Sequence, residues 1–441
     1  MRYRALGAAA AGGLVLGLLA PAQASASRTA DPRLVVADPA AGKVHVYAVP
    51  GHRRLATVSG RTFADHAGLL PLKDGRVLFV DEAARQLVAL QTQGAPRIVG
   101  TAPLPEGEVT HMAADPSGRH VVVAAAEEHD HEEGEHGEGE HGEGEHGEGE
   151  EHGHGTLTAV DLDTYRASTG VVHTAHPGVV VGEGVVVHRN DDAKTFESYR
   201  LGDILAADGG HVTPTSSVPT GAAGHGEAYT RGTVIGATDA GLDTAKLSGT
   251  TLTKTRTIAW PGTGRGYYLR LTGDGRLVTT YASADSAPDW ETWRHDAFVT
   301  DPVTGQGRTA ALGAGFLFRH SVSDRTAAYV VQRPANDEVS FVNVRPGTRG
   351  FGTVTSRVTL PRLPGGPVAG SSPWEGQFRR IAQDPSGALA YVTGGGTGTI
   401  SVISPDRGRV VSTITTPTPL DGGGALTVVT PGRDDADKVG R

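Results

Sequence analysis

The residues best suited to chemistry in this 441-residue chain are the histidines of one acidic stretch, residues 127–155. The stretch reads EEHDHEEGEHGEGEHGEGEHGEGEEHGHG, with seven histidines, thirteen carboxylates and no Lys or Arg. Neutral imidazole is a common ligand for divalent metal ions, and the surrounding carboxylates concentrate cations. The histidines are His129, His131, His136, His141, His146, His152 and His154. This composition predicts a metal-collecting segment; the alternative is a solvated acidic tract expanded by repeat slippage.

The repeat within this stretch indicates its local structure. GEGEH advances five residues per histidine, which matches neither the helical period of about 3.6 residues nor the strand period of about 2. The many glycines also make ordering costly. We therefore expect residues 127–155, called the His/Glu tract below, to form a disordered loop whose weak metal sites exchange easily.

The start of the chain has the pattern of a secretory signal. Arg2 and Arg4 precede an apolar run, and a small-residue motif ending at Ala26 supplies a cleavage site. We expect residues 1–26 to be removed and the mature protein to be extracytoplasmic, either at the cell surface or in a periplasm. No later segment reaches the ~18 apolar residues of a membrane helix, so no span is expected in the mature chain.

Composition excludes several kinds of site. The chain has no cysteine, so any metal site must use nitrogen and oxygen ligands, and thiolate zinc sites are excluded. The formal charge of −9 is 40 minus 49, and the His/Glu tract alone carries −13, which leaves +4 for the rest. No basic patch with interleaved aromatic residues is visible, so nucleic-acid binding is not expected.

The elements that must position these histidines are short strands. Apolar hairpins recur along the chain, most with a glycine in the turn, and further short strands follow most of them. Seven copies occupy residues 69–82, 112–125, 179–190, 227–238, 269–282, 321–332 and 381–394. Four strands per repeat is typical of a β-propeller blade.

The two ends of the chain supply an eighth blade. Residues 34–49 are similar in sequence pattern to residues 389–404 and would form outer strands of a blade without its inner strand. Residues 424–431 resemble that missing inner strand. Strands from both termini that close one blade would remove the open edges of the ring. We therefore predict an all-β propeller of eight blades, with seven as the alternative.

The predicted propeller spans residues 27–432, followed by a disordered tail at residues 433–441. The His/Glu tract lies between two strands, residues 121–126 and 157–162, and so interrupts the second blade.

Polar side chains recur at one position of these hairpins. The residue seven places before the turn glycine is His111, His225, Tyr268 or Arg380, and the glycine-less copy places His320 there. His66, His173 and His176 occupy the equivalent position where hairpin length differs. Among the histidines without this phase, five are expected at surface or turn positions: His45, His52, His188, His211 and His295.

These phased positions predict a metal site at one mouth of the propeller channel. The inner strands line the channel, so side chains distant in sequence converge where those strands begin. Six histidines, with Glu227 close to His225, form a nitrogen and oxygen shell suited to Zn²⁺, whose Zn–N distances are about 2.0–2.1 Å. A hydrogen-bonded channel histidine is the alternative for any one of them.

Two motifs carry a resemblance to a known family. VVHTAHPG (residues 171–178) and GHGEA (residues 224–228), together with the signal, the propeller pattern and the His/Glu tract, resemble the AztD family of extracytoplasmic zinc metallochaperones. That resemblance implies transfer of zinc to the solute-binding protein of a zinc ABC transporter. It implies His225 as a ligand, with Glu227, and a histidine pair at His173 and His176.

The leading hypothesis is a monomeric, non-catalytic zinc metallochaperone that captures ions with the tract and the channel-mouth histidines. A metal-dependent propeller hydrolase or lactonase is the second hypothesis, although such enzymes usually use Asp, Asn and Glu around a hard ion. A non-catalytic interaction scaffold with an incidental acidic loop is the third.

Overall fold

The computed structural model describes residues 31–64, 67–126, 154–174, 178–221, 226–260, 264–284 and 289–433. The predicted signal peptide, almost all of the His/Glu tract and nearly all of the C-terminal tail lie outside these residues, so their assignments stay predictions. Within the described part, the strands form eight four-stranded antiparallel sheets, and the predicted eight-bladed propeller is confirmed. The seven-bladed alternative is wrong.

Blades 1 to 7 each use consecutive strands. Blade 1 contains β4 (Leu70–Pro71), β5 (Arg76–Asp81), β6 (Gln86–Gln91) and β7 (Arg97–Pro103). Blade 2 contains β8 (Glu108–Ala114), β9 (His120–Ala126), β10 (Gly155–Asp161) and β11 (Arg166–Val172). Blade 3 contains β12 (Gly178–Gly182), β13 (Val185–Asn190), β14 (Thr195–Arg200) and β15 (Ser216–Pro219).

Blade 4 contains β16 (Glu227–Thr230), β17 (Thr233–Ala237), β18 (Gly241–Ser248) and β19 (Thr251–Ala259). Blade 5 contains β20 (Arg265–Leu271), β21 (Val278–Ala284), β22 (Arg294–Thr300) and β23 (Gly307–Ala314). Blade 6 contains β24 (His320–Val322), β25 (Thr326–Val331), β26 (Asn336–Asn343) and β27 (Val354–Pro361). Blade 7 contains β28 (Ile381–Gln383), β29 (Ala390–Gly394), β30 (Thr399–Ser404) and β31 (Arg409–Thr415).

Blade 8 closes the ring with strands from both ends of the chain. It contains β1 (Arg33–Asp38), β2 (Lys43–Ala48), β3 (Arg54–Ser59) and β32 (Ala425–Val429). β32 pairs antiparallel with β1, with Arg33 opposite Val429, which confirms the inner strand predicted near the C-terminus. The innermost strands of successive blades contact one another in the order β8, β12, β16, β20, β24, β28, β32 and β4.

The hydrophobic core lies between the blades. Eight apolar clusters each join two neighbouring blades; for example, Phe79 and Val88 of blade 1 pack with Val35 of blade 8. The middle strands of each blade are therefore buried on both faces, as the burial of β5 and β13 shows. This apolar packing lies between the blades and does not involve the channel. The innermost strands can therefore carry polar side chains that face the channel.

Helices are few and short in the described residues. They are α1 (Leu201–Leu205) and three single turns of 3₁₀ helix at Trp290–Thr292, Pro373–Glu375 and Asp421–Gly423. The described part of the chain contains no helix with the length and apolar character needed to cross a membrane.

The position of the His/Glu tract within blade 2 is as predicted. β9 ends at Ala126 and β10 begins at Gly155, and these two residues are register partners. Gly155 is the last residue that the sequence pattern assigned to the insertion, but in the structure it belongs to a strand.

Candidate functional site: histidine clusters at one mouth of the channel

At one edge of blade 2, Ala126, which directly precedes the His/Glu tract, and Gly155, its last residue, lie where the blade's inner strand begins. Gly155 lies opposite Ala126 on one side and Val172 on the other, and Ala126 lies opposite Glu108, the first residue of β8. Since antiparallel strands alternate in direction, the start of β8 and the end of β11 share this edge. Residues attached just outside these positions therefore lie at the same mouth of the propeller.

Three histidine rings gather at this edge. The ring centroid of His154 lies 5.3 Å from that of His173 and 5.8 Å from that of His211. The centroids of His173 and His211 are 5.1 Å apart, with planes inclined by only 12°. His173 and His211 are exposed and His154 is half-buried. We call these three residues the histidine trio.

Each member of the trio is positioned by blade 2 or by the segment beside it. His154 directly precedes β10, and His173 directly follows β11. The carbonyl of His173 accepts a hydrogen bond from the Asn190 side-chain amide at 3.0 Å. The first two positions therefore follow from the register of β10 with β11.

His211 reaches the trio along a short parallel addition to blade 2. After α1, the chain turns back along β11, where Val171 forms a parallel bridge with His211. The amide of Val171 donates to the Gly210 carbonyl, and the amide of Val212 donates to the Val171 carbonyl, both at 3.1 Å. This segment carries His211 from the far end of blade 3 to the mouth.

The spacing of the trio matches that of imidazoles around one tetrahedral ion. With Zn–N of about 2.05 Å, a ring centroid lies about 3.2 Å from the metal, so two ligand centroids at a tetrahedral angle are about 5.2 Å apart. The observed separations are 5.1–5.8 Å. The Nδ1 atom of His154 is buried and has no hydrogen-bond partner among the described residues.

Spacing is only part of a metal site, because the donor atoms must also converge. In the described part of the chain, no group of three or more His, Asp or Glu side chains has its donor atoms arranged to hold a metal ion. In the trio, the rings of His173 and His211 are nearly parallel, so their nitrogen atoms are not directed at one common point. The rings have the separation of a zinc site, and convergence of their nitrogens requires rotation of exposed side chains.

A second group lies deeper at the same mouth and contains two predicted ligands. The Nε2 atom of His111 in β8 lies 3.7 Å from a carboxylate oxygen of Glu227, the first residue of β16. The other oxygen of Glu227 lies 3.4 Å from Nη1 of Arg189. Glu227 is only 4% exposed. The structure thus brings together side chains of blades 2, 3 and 4.

Gly178 allows this contact to cross blade 3. β12 begins at Gly178 and lies between β8 and β16 in the ring. A Cβ atom at this position would lie 2.6 Å from the carboxylate carbon of Glu227. The absence of a side chain at Gly178 therefore leaves the space through which Glu227 approaches His111.

His320 belongs to the opposite arc of the channel. It lines a cavity formed by residues of blades 1, 5, 6, 7 and 8, whereas His111 and Glu227 belong to blades 2 and 4. Its ring stacks on Tyr329 with centroids 4.9 Å apart, and its Nε2 is 3.0 Å from the Thr279 hydroxyl. Burial, together with the charge of Arg270, holds the pKa of His320 well below its usual value. His320 is therefore a neutral, hydrogen-bonded channel histidine in this structure.

The other predicted ligands lie outside the described residues, so their roles stay predictions. They are His66, His176, His225, His129, His131, His136, His141, His146 and His152. The described predicted ligands fall into three places: His111 with Glu227, His154 with His173, and His320 alone.

The expectation that five histidines lie at surface or turn positions was largely wrong. His45, His188 and His295 are buried within strands, where their neighbours satisfy or shield them; Nε2 of His295, for example, lies 2.6 Å from the Gly315 carbonyl. Burial lowers the pKa of His188 to about 4. His211 is exposed, as expected, but it belongs to the trio. The sequence feature that could have drawn attention to it is the long connection between β14 and β15, on which it lies.

The comparisons with known structures agree with this architecture. The structure matches apo AztD from Citrobacter koseri with a TM-score of 0.62 and 14% sequence identity, over 91% of this chain and 98% of that one. A second Citrobacter koseri AztD structure matches with a TM-score of 0.64 and 13% identity, over the same shares. The chain has the fold of AztD.

Other proteins share this fold. The dihydro-heme d1 dehydrogenase NirN matches with a TM-score of 0.57 and 12% identity, over 91% of this chain and 75% of that one. No protein-family model matches the sequence, and no curated protein does. At these identities the likeness establishes the fold, and the function has to be argued from the side chains.

Proposed function

We propose that this protein binds zinc outside the cytoplasm and transfers it to another protein, namely the solute-binding protein of a zinc ABC transporter. The observation that carries the proposal is the histidine trio, whose spacing suits zinc and whose member His154 is continuous with the His/Glu tract. The fold of AztD and the secretory signal pattern support the same conclusion.

The tract and the trio suit different steps of capture. The tract supplies many imidazoles and carboxylates of similar strength, which favours rapid association and exchange of ions. The trio is anchored to β10 and β11, so fewer degrees of freedom are lost when it binds an ion. An ion caught by the tract would pass to the trio through His154 without leaving the protein.

Exposure of the trio favours transfer to a partner. His173 and His211 are exposed, so a recipient protein would be able to replace the ligands one at a time. Three imidazoles also leave a coordination position of a tetrahedral ion open. The deeper group has the opposite character, because Glu227 is buried and paired with Arg189. We assign it a supporting role at the mouth, with His225 and His176 as its neighbours in sequence.

The same features favour a binding protein over an enzyme. Hydrolases with a metal in the propeller axis usually surround a hard ion with Asp, Asn and Glu oxygens, whereas the trio offers imidazole nitrogen. Zinc-loaded protein is therefore expected not to hydrolyse lactones or esters. Turnover that disappears in a His173→Ala variant would establish the hydrolase instead.

Zinc titration of four proteins tests the binding half of the proposal. These are the mature chain, a deletion of residues 127–152 that retains His154, the deletion with His154→Ala and His173→Ala, and the deletion with His52→Ala as a matched control. The mature chain should bind several ions, and the deletion and its control should each keep one tight site. Loss of that site in the double variant is expected; an unchanged site there would exclude the trio.

A transfer experiment tests the delivery half. Zinc-loaded protein is mixed with a candidate solute-binding protein and an excess of a chelator that traps free zinc, and the metal is quantified after the proteins are separated. Zinc should reach the recipient despite the chelator if transfer is direct. Recovery of all the zinc in the chelator would leave a zinc-binding protein without a delivery role, and recipient binding that is equal with and without zinc would favour a scaffold.

A further inference from the structure

Six exposed arginines lie on the face of the propeller opposite the trio. In every blade, the third and fourth strands counted from the channel are joined at the edge away from the mouth, because the strands alternate in direction. In blades 6, 7 and 8, these joining segments and the first residue of each fourth strand carry two arginines per blade. The six are Arg345, Arg349, Arg407, Arg409, Arg53 and Arg54, called the arginine rim below.

Two grooves connect the three pairs of arginines into one surface. Arg345 of blade 6 and Arg407 of blade 7 line a groove of about 390 Å³. Arg53 and Arg54 of blade 8 line a wider groove of about 810 Å³, whose other wall is β31 of blade 7. Because blades 6, 7 and 8 are neighbours in the ring, the arginine rim runs along three adjacent blades.

Backbone hydrogen bonds hold the turns that carry the arginine rim. The amide of Arg345 donates to Oδ1 of Asn343 at 2.9 Å. In blade 8, the amide of Ala48 donates to the carbonyl of Arg53 at 2.9 Å. The backbone positions are therefore defined by the fold, whereas the guanidinium groups extend into solvent, since all six arginines are exposed.

The positive charge of the arginine rim is not balanced by neighbouring carboxylates. The three joining segments contain one acidic residue, Asp406, and it pairs with Arg325, outside the rim, through two contacts of 2.9 Å. Within the described part of the chain, none of the six rim guanidinium groups has an ion-pair partner. The equivalent segments of blades 2 and 3 differ, because they contain more carboxylates than arginines.

We propose that the arginine rim docks the protein on a bilayer that contains anionic phospholipids. Each arginine close to such a bilayer strengthens binding about fivefold, because the surface potential is negative. Guanidinium groups also donate paired hydrogen bonds to phosphate.

The composition of the arginine rim favours a bilayer over an acidic protein as the partner. Protein interfaces usually have a core enriched in aromatic residues and depleted of charge. The only Phe, Tyr or Trp in the three joining segments is Phe351, and it packs against the hydrophobic core. The rim therefore offers charge spread over three blades, which suits an extended anionic surface.

The His/Glu tract favours one orientation on such a bilayer. The tract carries −13 and is attached between β9 and β10 of blade 2, at the edge opposite the rim. An anionic bilayer attracts the arginine rim and repels the tract, so both effects turn the same face towards the lipid. The mouth with the trio then faces away from the bilayer. Docking of this kind does not depend on the zinc function.

Sedimentation with lipid vesicles tests the proposal. The mature protein is treated with a chelator, so that zinc cannot bridge the tract to lipid phosphate. It is then mixed with vesicles of phosphatidylcholine alone or with one quarter phosphatidylglycerol. At 0.1 M NaCl the protein should bind the mixed vesicles at least about tenfold more tightly than phosphatidylcholine alone. At 1 M NaCl the screening length falls from about 10 Å to about 3 Å, and this binding should be lost.

Two double variants identify the surface that binds. Arg345→Gln with Arg407→Gln changes blades 6 and 7, and Arg53→Gln with Arg54→Gln changes blade 8. Each variant removes two charges and should weaken binding to the mixed vesicles at least about tenfold. All four side chains are exposed, so both variants should fold as the wild type does.

A charge-matched control comes from the same face of the molecule. Arg166→Gln with Arg200→Gln removes two exposed arginines from blades 2 and 3 and should weaken binding by less than about threefold. Equal binding to the two kinds of vesicle, or equal losses in the rim variants and the control, would overturn the proposal. Tighter binding to soluble polyglutamate than to the mixed vesicles would also overturn it and would assign the arginine rim to an acidic protein.

Discussion

Replacing Gly178 with alanine tests the group formed by His111, Glu227 and Arg189. A Cβ atom at Gly178 would lie 2.6 Å from one carboxylate oxygen of Glu227 and 2.8 Å from the other. The backbone of Gly178 is not in the left-handed region, so alanine brings no backbone strain. The whole cost therefore arises from the contact with the carboxylate.

The structure gives the size of the effect. Ordinary contact begins at 3.4 Å, so the carboxylate must retreat by 3.4 minus 2.6, or 0.8 Å. Such a shift disturbs the 3.4 Å ion pair between Glu227 and Arg189. Overpacking of this kind costs about 1–3 kcal/mol of folding free energy. In a Glu227→Ala background the obstacle is gone, and Gly178→Ala should be neutral or stabilise by up to about 1 kcal/mol.

Denaturant unfolding of the wild type, the two single variants and the double variant measures this coupling. The cycle should give an interaction free energy of at least about 1 kcal/mol between positions 178 and 227. Gly202 in α1 provides the control, because a Cβ there meets nothing within 4 Å, and Gly202→Ala should act equally in both backgrounds. An equal cost of Gly178→Ala with and without Glu227 would refute the proposed role of the glycine.

Three other predictions concern the trio, a buried histidine and the closure of the ring. In the chain lacking residues 127–152, His211→Ala should lower zinc affinity by more than the about 10–100-fold typical of losing an outer-shell partner, whereas His52→Ala should not change it; chelator competition measures both. The pKa of His188 falls from 6.5 to about 4 on folding, so the unfolded state takes up the proton first and stability is lost as pH falls from about 6.5 to about 4. This loss should reach about 3 kcal/mol and should be absent in His188→Leu. Unfolding free energies of the two proteins measured across pH test this, and the same pH dependence in both would contradict a buried neutral His188. Deleting residues 425–433 removes β32 with its two buried valines. The valines alone contribute about 3–6 kcal/mol, compared with a typical free energy of unfolding of about 5–15 kcal/mol. The melting temperature should therefore drop sharply, and an unchanged value would mean that β32 does not hold the ring closed.

The architecture could be predicted because it depends on local patterns. Short apolar hairpins repeat along the sequence, and each pair of neighbouring strands is also a pair of neighbours in space. The closing strand β32 was also predictable, because residues 34–49 lack an inner strand and residues 424–431 supply one.

The candidate site was less predictable because it depends on contacts between blades. The recurring position along the inner strands identifies residues that face the channel. His211, however, lies on a segment outside the four regular strands of a blade. The same phase placed Arg380 and His320 in equivalent positions, yet only the structure shows that two more guanidinium groups share their cavity. The role of Gly178 depends on Glu227, a residue of the next blade.

The pairing of Arg33 with Val429 places the two ends of the folded chain side by side. A short peptide could therefore join residues 31 and 433, and new termini could be opened between Ala126 and His154 without breaking any strand. Such a circular permutant would build blade 8 from continuous chain and convert the His/Glu tract from an internal connection into two free tails. Comparing its metal binding with that of the natural chain would show whether the residues of the tract must form a loop attached at both ends or act equally well at chain ends.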